Sequence, residues 1–202
     1  MVDVDIYIAD IRNVKNDYRK LYDKISDFRK ERADSYYHEE DKLRSVVSAF
    51  LMKTFVKEEE LEYNDYGKPY IKGGPYFNIS HCHNYVVLAI SDKEVGIDIE
   101  EIKNRDLSFL TNILDKDITG YDMNTQYLLW CAKESIAKCL GTGLKDVKEA
   151  PCEPLNGKKH FRGEYFYSTS FVHQKYAFSV TLKSHEAFKI NEHIVDLTKY
   201  IK

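Results

Sequence analysis

Apolar positions along the chain recur with two periods. Val2 to Ile8 alternates apolar and polar residues, which predicts a first strand. From about Ser35 to Val56 the period becomes helical, with Leu43, Val46, Val47, Phe50 and Leu51 on one face. Between Tyr76 and Ser91 the pattern reads as strand, short turn, strand. Val95-Gly96-Ile97-Asp98-Ile99-Glu100 alternates again. It predicts a strand with Val95, Ile97 and Ile99 on one face and Gly96, Asp98 and Glu100 on the other. From Glu100 to Asp122 the chain is polar and irregular, with no Gly/Ser-rich linker. A second long helix is expected from about Asn124 to Leu140. Tyr127, Leu128, Cys131, Ala132, Ser135 and Cys139 form its apolar side, and Gly141 and Gly143 end it. The last third returns to alternation, and residues 164–169 and 175–182 read as another hairpin.

Helix followed by hairpin thus occurs twice. Tyr76-Phe77 followed by Tyr85 is echoed by Tyr165-Phe166 followed by Tyr176. The expected architecture is α+β, with two similar halves, residues 1–102 and 103–202, packed together. A length of 202 residues suits one sizeable domain or two small ones. The net charge of −3 argues against a general nucleic-acid binder. No apolar run approaches membrane-spanning length, and the acidic start is unlike a signal peptide. Cys82, Cys131, Cys139 and Cys152 form no Cys-x-x-Cys pair, so free thiols and a cytoplasmic location are expected.

The candidate chemistry starts from Asp98 and Glu100. Two apart on a strand, they point the same way and repel unless a cation sits between them. Hard oxygen ligands with open positions suit Mg²⁺. The competing reading is an edge strand with ordinary surface acids. Arg29 and Arg32 would share a helical face, and Arg44 lies beside the apolar stripe of its helix. Tyr66-Gly67-Lys68-Pro69-Tyr70 is a turn. His81-Cys82-His83 looks like metal chemistry, but strand neighbours point to opposite faces and no second cluster completes a zinc set. A single His beside Ser80, ready for an anionic group, is the better account. Glu134 and Lys138 are neighbours on one helical face. As a plain surface pair they would stabilise by only about 0.3–0.5 kcal/mol.

Four stretches in order, Gly67-Lys68-Pro69, Phe77-Asn78-Ile79-Ser80-His81, Gly96-Ile97-Asp98-Ile99-Glu100 and Trp130-Cys131-Ala132-Lys133-Glu134-Ser135-Ile136-Ala137-Lys138, resemble the 4'-phosphopantetheinyl transferase family. The double-length form, the Sfp type, is the closer match. The resemblance covers roughly Arg29 to Lys138. It implies transfer of phosphopantetheine from coenzyme A to a serine of an apo acyl or peptidyl carrier protein, with release of 3',5'-ADP. It implies that Asp98, Glu100 and Glu134 hold Mg²⁺, or Mn²⁺, against the coenzyme A pyrophosphate, and that Lys138 neutralises charge there. Ser80 and His81 would contact the nucleotide phosphates, and Gly67-Lys68-Pro69 would lie along the adenine and its neighbouring phosphate. Arg29, Arg32 and Arg44 stand where the family places cations for the 3'-phosphate. The implied fold is two α+β halves related by pseudo-twofold symmetry, with the site at their junction, in a monomer acting on neither nucleic acid nor membrane. The chain departs from the family in a short segment between Glu100 and Trp130, and in a compact tail that implies trimmed second-half strands.

Such a site accords with elementary chemistry. Phosphoryl transfer asks for positioning and for neutralised phosphate charge. Three carboxylates can make a Mg²⁺ face, the cations add to it, and Glu134 is the candidate proton acceptor for the serine, directly or through a water. The alternatives are a Mg²⁺-dependent phosphohydrolase of nucleotides or coenzyme A, a non-catalytic coenzyme A-binding module, and the short trimeric holo-acyl-carrier-protein synthase type, which chain length opposes.

Overall fold

A computed structural model of the chain describes residues 1–56, 61–143 and 147–202. The alternating N-terminal segment forms β1 (Val2–Asp10). Two short helices, α1 (Arg19–Tyr22) and α2 (Asp27–Asp34), lead to α3 (Glu39–Val56), the long amphipathic helix expected from the sequence. A small ribbon follows, β2 (Leu61–Tyr63) with β3 (Pro69–Ile71). The expected hairpin is β4 (Tyr76–Cys82) and β5 (Tyr85–Ser91), and the acidic stretch is β6 (Val95–Glu101). After α4 (Phe109–Leu114) comes α5 (Met123–Leu140), then β7 (Gly157–Phe161), β8 (Glu164–His173), β9 (Tyr176–Leu182) and β10 (Phe188–Val195). Asp122 caps α5 by accepting from the Thr125 N–H at 3.1 Å, and Gly141, at φ 71°, ends it.

The α+β expectation holds. One sheet has the order β10-β1-β5-β4, with β10 parallel to β1, and the other has the order β6-β9-β8-β7. Four layers result. α3 packs Leu43, Val46, Val47, Phe50 and Leu51 on Phe77, Val86 and Leu88 of the first sheet. Val4, Ile6, Val87 and Ala89 on that sheet's other face meet Val95, Ile97, Ile99, Phe178 and Val180 of the second. α5 covers the far side of the second sheet and α4 packs on α5, with Leu110, Leu114, Tyr127, Leu129 and Cys131 clustered with Ala177.

Strand pairing crosses the division expected near residue 102 in both directions. β6 pairs with β9, and β10 returns to β1. The alternation explains why: the apolar face of β6 must cover the first sheet while its backbone bonds are spent on the second. In the second half, β8 has 10 residues and β9 has 7. All four cysteines are free. Among the described residues no helix is long and apolar enough to cross a membrane.

Two contacts set the site's geometry. β4 and β6 are both sheet edges, and β4 turns Asn78, Ser80 and Cys82 toward β6. The Asn78 side-chain oxygen accepts from the Ile97 N–H at 3.0 Å, and the Cys82 sulfur accepts from the Glu101 N–H at 3.2 Å. Side chains of one sheet thereby satisfy backbone donors of the other. On the opposite flank, α5 rests directly on β6 at Gly96. A Cβ there would lie 2.0 Å from the Ser135 carbonyl oxygen and 2.4 Å from the Cys139 nitrogen. Beneath α5, the Ser135 hydroxyl meets those of Ser179 at 3.0 Å and Thr181 at 2.7 Å, so small residues keep the helix close.

Candidate active site

A cleft of about 380 Å³ opens where α2, α3, β4, β6 and α5 converge. Arg29, Arg32, Gly67, Pro69, Ser80, His81, Asp98, Glu100, Glu134 and Lys138, all singled out from the sequence, line it. The acids come from two directions. Strand alternation sends Asp98 and Glu100 off the same face of β6 toward α5. The close approach at Gly96 then brings Glu134 and Lys138, one helical turn apart, over that face.

Asp98 is 3% exposed, so the reading of an ordinary surface acid fails. Its Oδ1 accepts from Lys138 Nζ at 2.5 Å and from the Ser80 hydroxyl at 3.0 Å, and Lys138 Nζ also reaches Ser80 Oγ at 2.8 Å. Its Oδ2 is buried without a partner. Glu100 is held on both oxygens, by the Trp130 indole N–H at 3.3 Å and the Cys82 thiol at 3.7 Å. Burial and the Asp98 charge raise the pKa of Glu100. Burial first, then Asp98, pushes Glu134 up to about 7, with Lys138 pulling the other way. Burial opposes the charge on Lys138, but Asp98 outweighs it and the Lys138 pKa is raised. One ammonium therefore faces three carboxylates.

Among the described residues, no three acidic, His or Cys side chains are arranged to grip an ion as they stand. The donor chemistry nevertheless suits a hard cation: three carboxylates on one cleft, one with an orphaned buried oxygen and two held back from ionising.

The cationic wall differs in part from expectation. Arg29 is 6% exposed, not on a solvated face; its guanidinium lies 5.9 Å from the Phe28 ring centroid and 5.7 Å from that of Tyr63. Arg32 is exposed at the cleft's edge. Desolvation, and then the charges of Arg44 and Lys138, lower the His81 pKa, although the residue keeps access to solvent. Arg44 is not brought into this cleft. It donates to the His83 carbonyl at 3.0 Å and to Asp41 at 2.6 Å, and lines an adjoining groove with His81 and Glu100. The Lys68 side chain also turns away: its Nζ donates to the Cys139 carbonyl at 2.8 Å, capping the end of α5, while Gly67 and Pro69 keep the cleft.

Sequence reasoning passed over the parts that position these groups. A glycine inside a strand, as at Gly96, signals close backbone approach, whereas Asn78 carries no comparable signal. Trp130 and Cys82 hold Glu100, and nothing in their spacing announces it. Ser45, Ser48 and Met52 also line the cleft, from the face of α3 opposite its apolar stripe, to which the sequence pattern assigns no role.

Comparison with known proteins bears on the same region. The family model of the 4'-phosphopantetheinyl transferase superfamily matches residues 94–195, which include the acidic strand and α5. The chain is similar to 4'-phosphopantetheinyl transferase Sfp of Bacillus subtilis (strain 168), 33% identical over 69% of each chain. A second 4'-phosphopantetheinyl transferase of Bacillus subtilis is 32% identical, the match covering 59% of this chain and 62% of the relative. The 4'-phosphopantetheinyl transferase gsp of Aneurinibacillus migulanus is 31% identical, over 54% of this chain and 53% of its own. The chain thus spans between about half and two thirds of the relatives it matches.

Proposed function

The chain belongs to the 4'-phosphopantetheinyl transferase superfamily, and from that premise we propose that it transfers phosphopantetheine from coenzyme A to a serine of an apo acyl or peptidyl carrier protein. The observation that carries this reading is the meeting of Asp98, Glu134 and Lys138 with Arg29, Arg32 and His81 in one cleft. An acidic, metal-competent wall faces a cationic wall. Coenzyme A has the complementary form, a pyrophosphate at the reacting centre and a separate phosphate on the ribose.

The carrier serine oxygen attacks the pyrophosphate phosphorus that bears the pantetheine. A P–O bond to serine forms, the bond to the nucleotide's 5'-phosphate breaks, and 3',5'-ADP leaves with the electron pair. Lys138, already seated on Asp98, stabilises the charge that builds on the bridging and leaving oxygens. Glu134, with its pKa near 7, is poised to take the serine proton. Arg29, Arg32 and His81 hold the nucleotide end, so positioning supplies much of the rate. Asp98, Glu100 and Glu134 would hold Mg²⁺, with Mn²⁺ as a substitute; when bound, the ion supplies charge neutralisation at the pyrophosphate.

The same reading takes the molecule as a monomer in the cytoplasm, consistent with its free thiols, and takes its two helix-plus-hairpin units as halves related by pseudo-twofold symmetry. The β1-β5-β4 and β6-β9-β8 strand orders support that relation.

Product analysis with coenzyme A and Mg²⁺ tests the proposal. Release of 3',5'-ADP only when an apo-carrier is present supports transfer. Equal release without a carrier would identify a phosphohydrolase, and tight coenzyme A binding with no product would identify a binding module.

A further inference from the structure

Ser48 is the one polar residue in the buried run from Val46 to Met52 of α3. The residue is 9% exposed, and its hydroxyl is buried with no hydrogen-bond partner. Helical hydroxyls commonly return to the carbonyl four residues back, as Thr54 does on the same helix, to Phe50 at 2.8 Å. Ser48 does not. An unsatisfied buried hydroxyl destabilises, and Ala at this position would not.

The wall around it names the missing partner. Ser45, Ser48 and Met52 fall on one helical face and line the cleft together. The Met52 sulfur lies 3.7 Å from Arg29 Nη2, which sets that guanidinium one turn from Ser48. Arg32 belongs to the same lining, as do the acids of β6 and α5. We propose that Ser48 donates a hydrogen bond to the 3'-phosphate of coenzyme A, alongside Arg29 and Arg32, and so sets preference for coenzyme A over dephospho-coenzyme A. This rests on the functional reading above and adds to it a residue that reads the nucleotide. The free phosphate is the one anionic group of the substrate that does not need the acidic wall.

Calorimetric titration of the wild type and of Ser48→Ala with coenzyme A and with dephospho-coenzyme A tests it, together with thermal unfolding and steady-state kinetics. The expected result is about a ten- to hundredfold loss of coenzyme A affinity from one lost hydrogen bond to a charged group. Dephospho-coenzyme A affinity should change less than about twofold, because the group that Ser48 reads is absent from it. KM for coenzyme A should rise with kcat little changed, and the unfolding midpoint should not fall. Equal losses for both ligands would put Ser48 against the base or ribose and overturn the proposal. A lowered midpoint with an unchanged affinity ratio would show a structural hydroxyl and overturn it too. Wild-type protein that binds neither ligand would overturn the functional reading, and this inference with it.

Discussion

Glu134 is the residue whose ionisation most directly reports the site. Its pKa is about 7 in the folded chain against an ordinary 4.5. The folded state therefore holds that proton more tightly than the unfolded state. The associated stability is fully present below pH 4.5 and is lost as pH rises through 7. Glu100 is raised for the same reasons and acts with the same sign. Glu134→Gln should flatten much of this decline, leaving the metal-free variant roughly 2 kcal/mol more stable than wild type at pH 8 after allowance for partial exposure. Chemical denaturation between pH 4 and 8 measures it; parallel wild-type and variant curves would show that Glu134 titrates normally. Mg²⁺ should narrow the gap at pH 8 by stabilising the wild type. Asp98 behaves differently. A repulsive acid should cost the fold little when removed, but Asp98 anchors Lys138 and Ser80. Asp98→Ala strands the Lys138 ammonium and should cost roughly 2–4 kcal/mol as well as transfer activity. Unchanged stability by the same measurement would mean that Lys138 finds another partner.

At the scale of elements, the site depends on α5 lying against β6. Gly96→Ala places a methyl where the Ser135 and Cys139 backbones now sit, and both are main-chain atoms that cannot rotate aside. The helix must lift, and Glu134 and Lys138 lift with it. We expect a loss of transfer activity of about a hundredfold, since misplacement by about 1 Å can cost that much. Activity near wild type would show that α5 tolerates the shift. The same contact shows what the sequence could and could not convey. β6 and α5 were readable because alternation and helical spacing are local, and Asp98 and Glu100 on one face followed from the strand period alone. The capping of α5 by Lys68 was not readable, because it joins residues 71 positions apart and Lys68 had an equally good reading as a phosphate ligand. Arg44 failed similarly: its side chain answers to the His83 carbonyl, an acceptor created by the β4–β5 turn. α4 has six residues and β10 exposes half of its positions without alternation, so neither leaves a period long enough to detect.

At the scale of the molecule, each sheet depends on the other half of the chain. β10 completes the first sheet and β6 the second, while Asn78 and Cys82 tie the two edges together. The composition carried no sign of this exchange, because pairing partners are chosen by the assembled core and not by local pattern. Its consequence is a cleft walled from both halves, lined by cations of α2 and by acids of β6 and α5. The intact mass of an apo-carrier protein after incubation with the chain, coenzyme A and Mg²⁺ tests this most directly, with the Asp98→Asn variant run alongside. The account expects the carrier to gain the mass of one phosphopantetheine at its serine with wild type, and almost none with the variant. A panel of apo acyl and peptidyl carriers that all stay unmodified, or a variant that modifies them as fast as wild type, would contradict it.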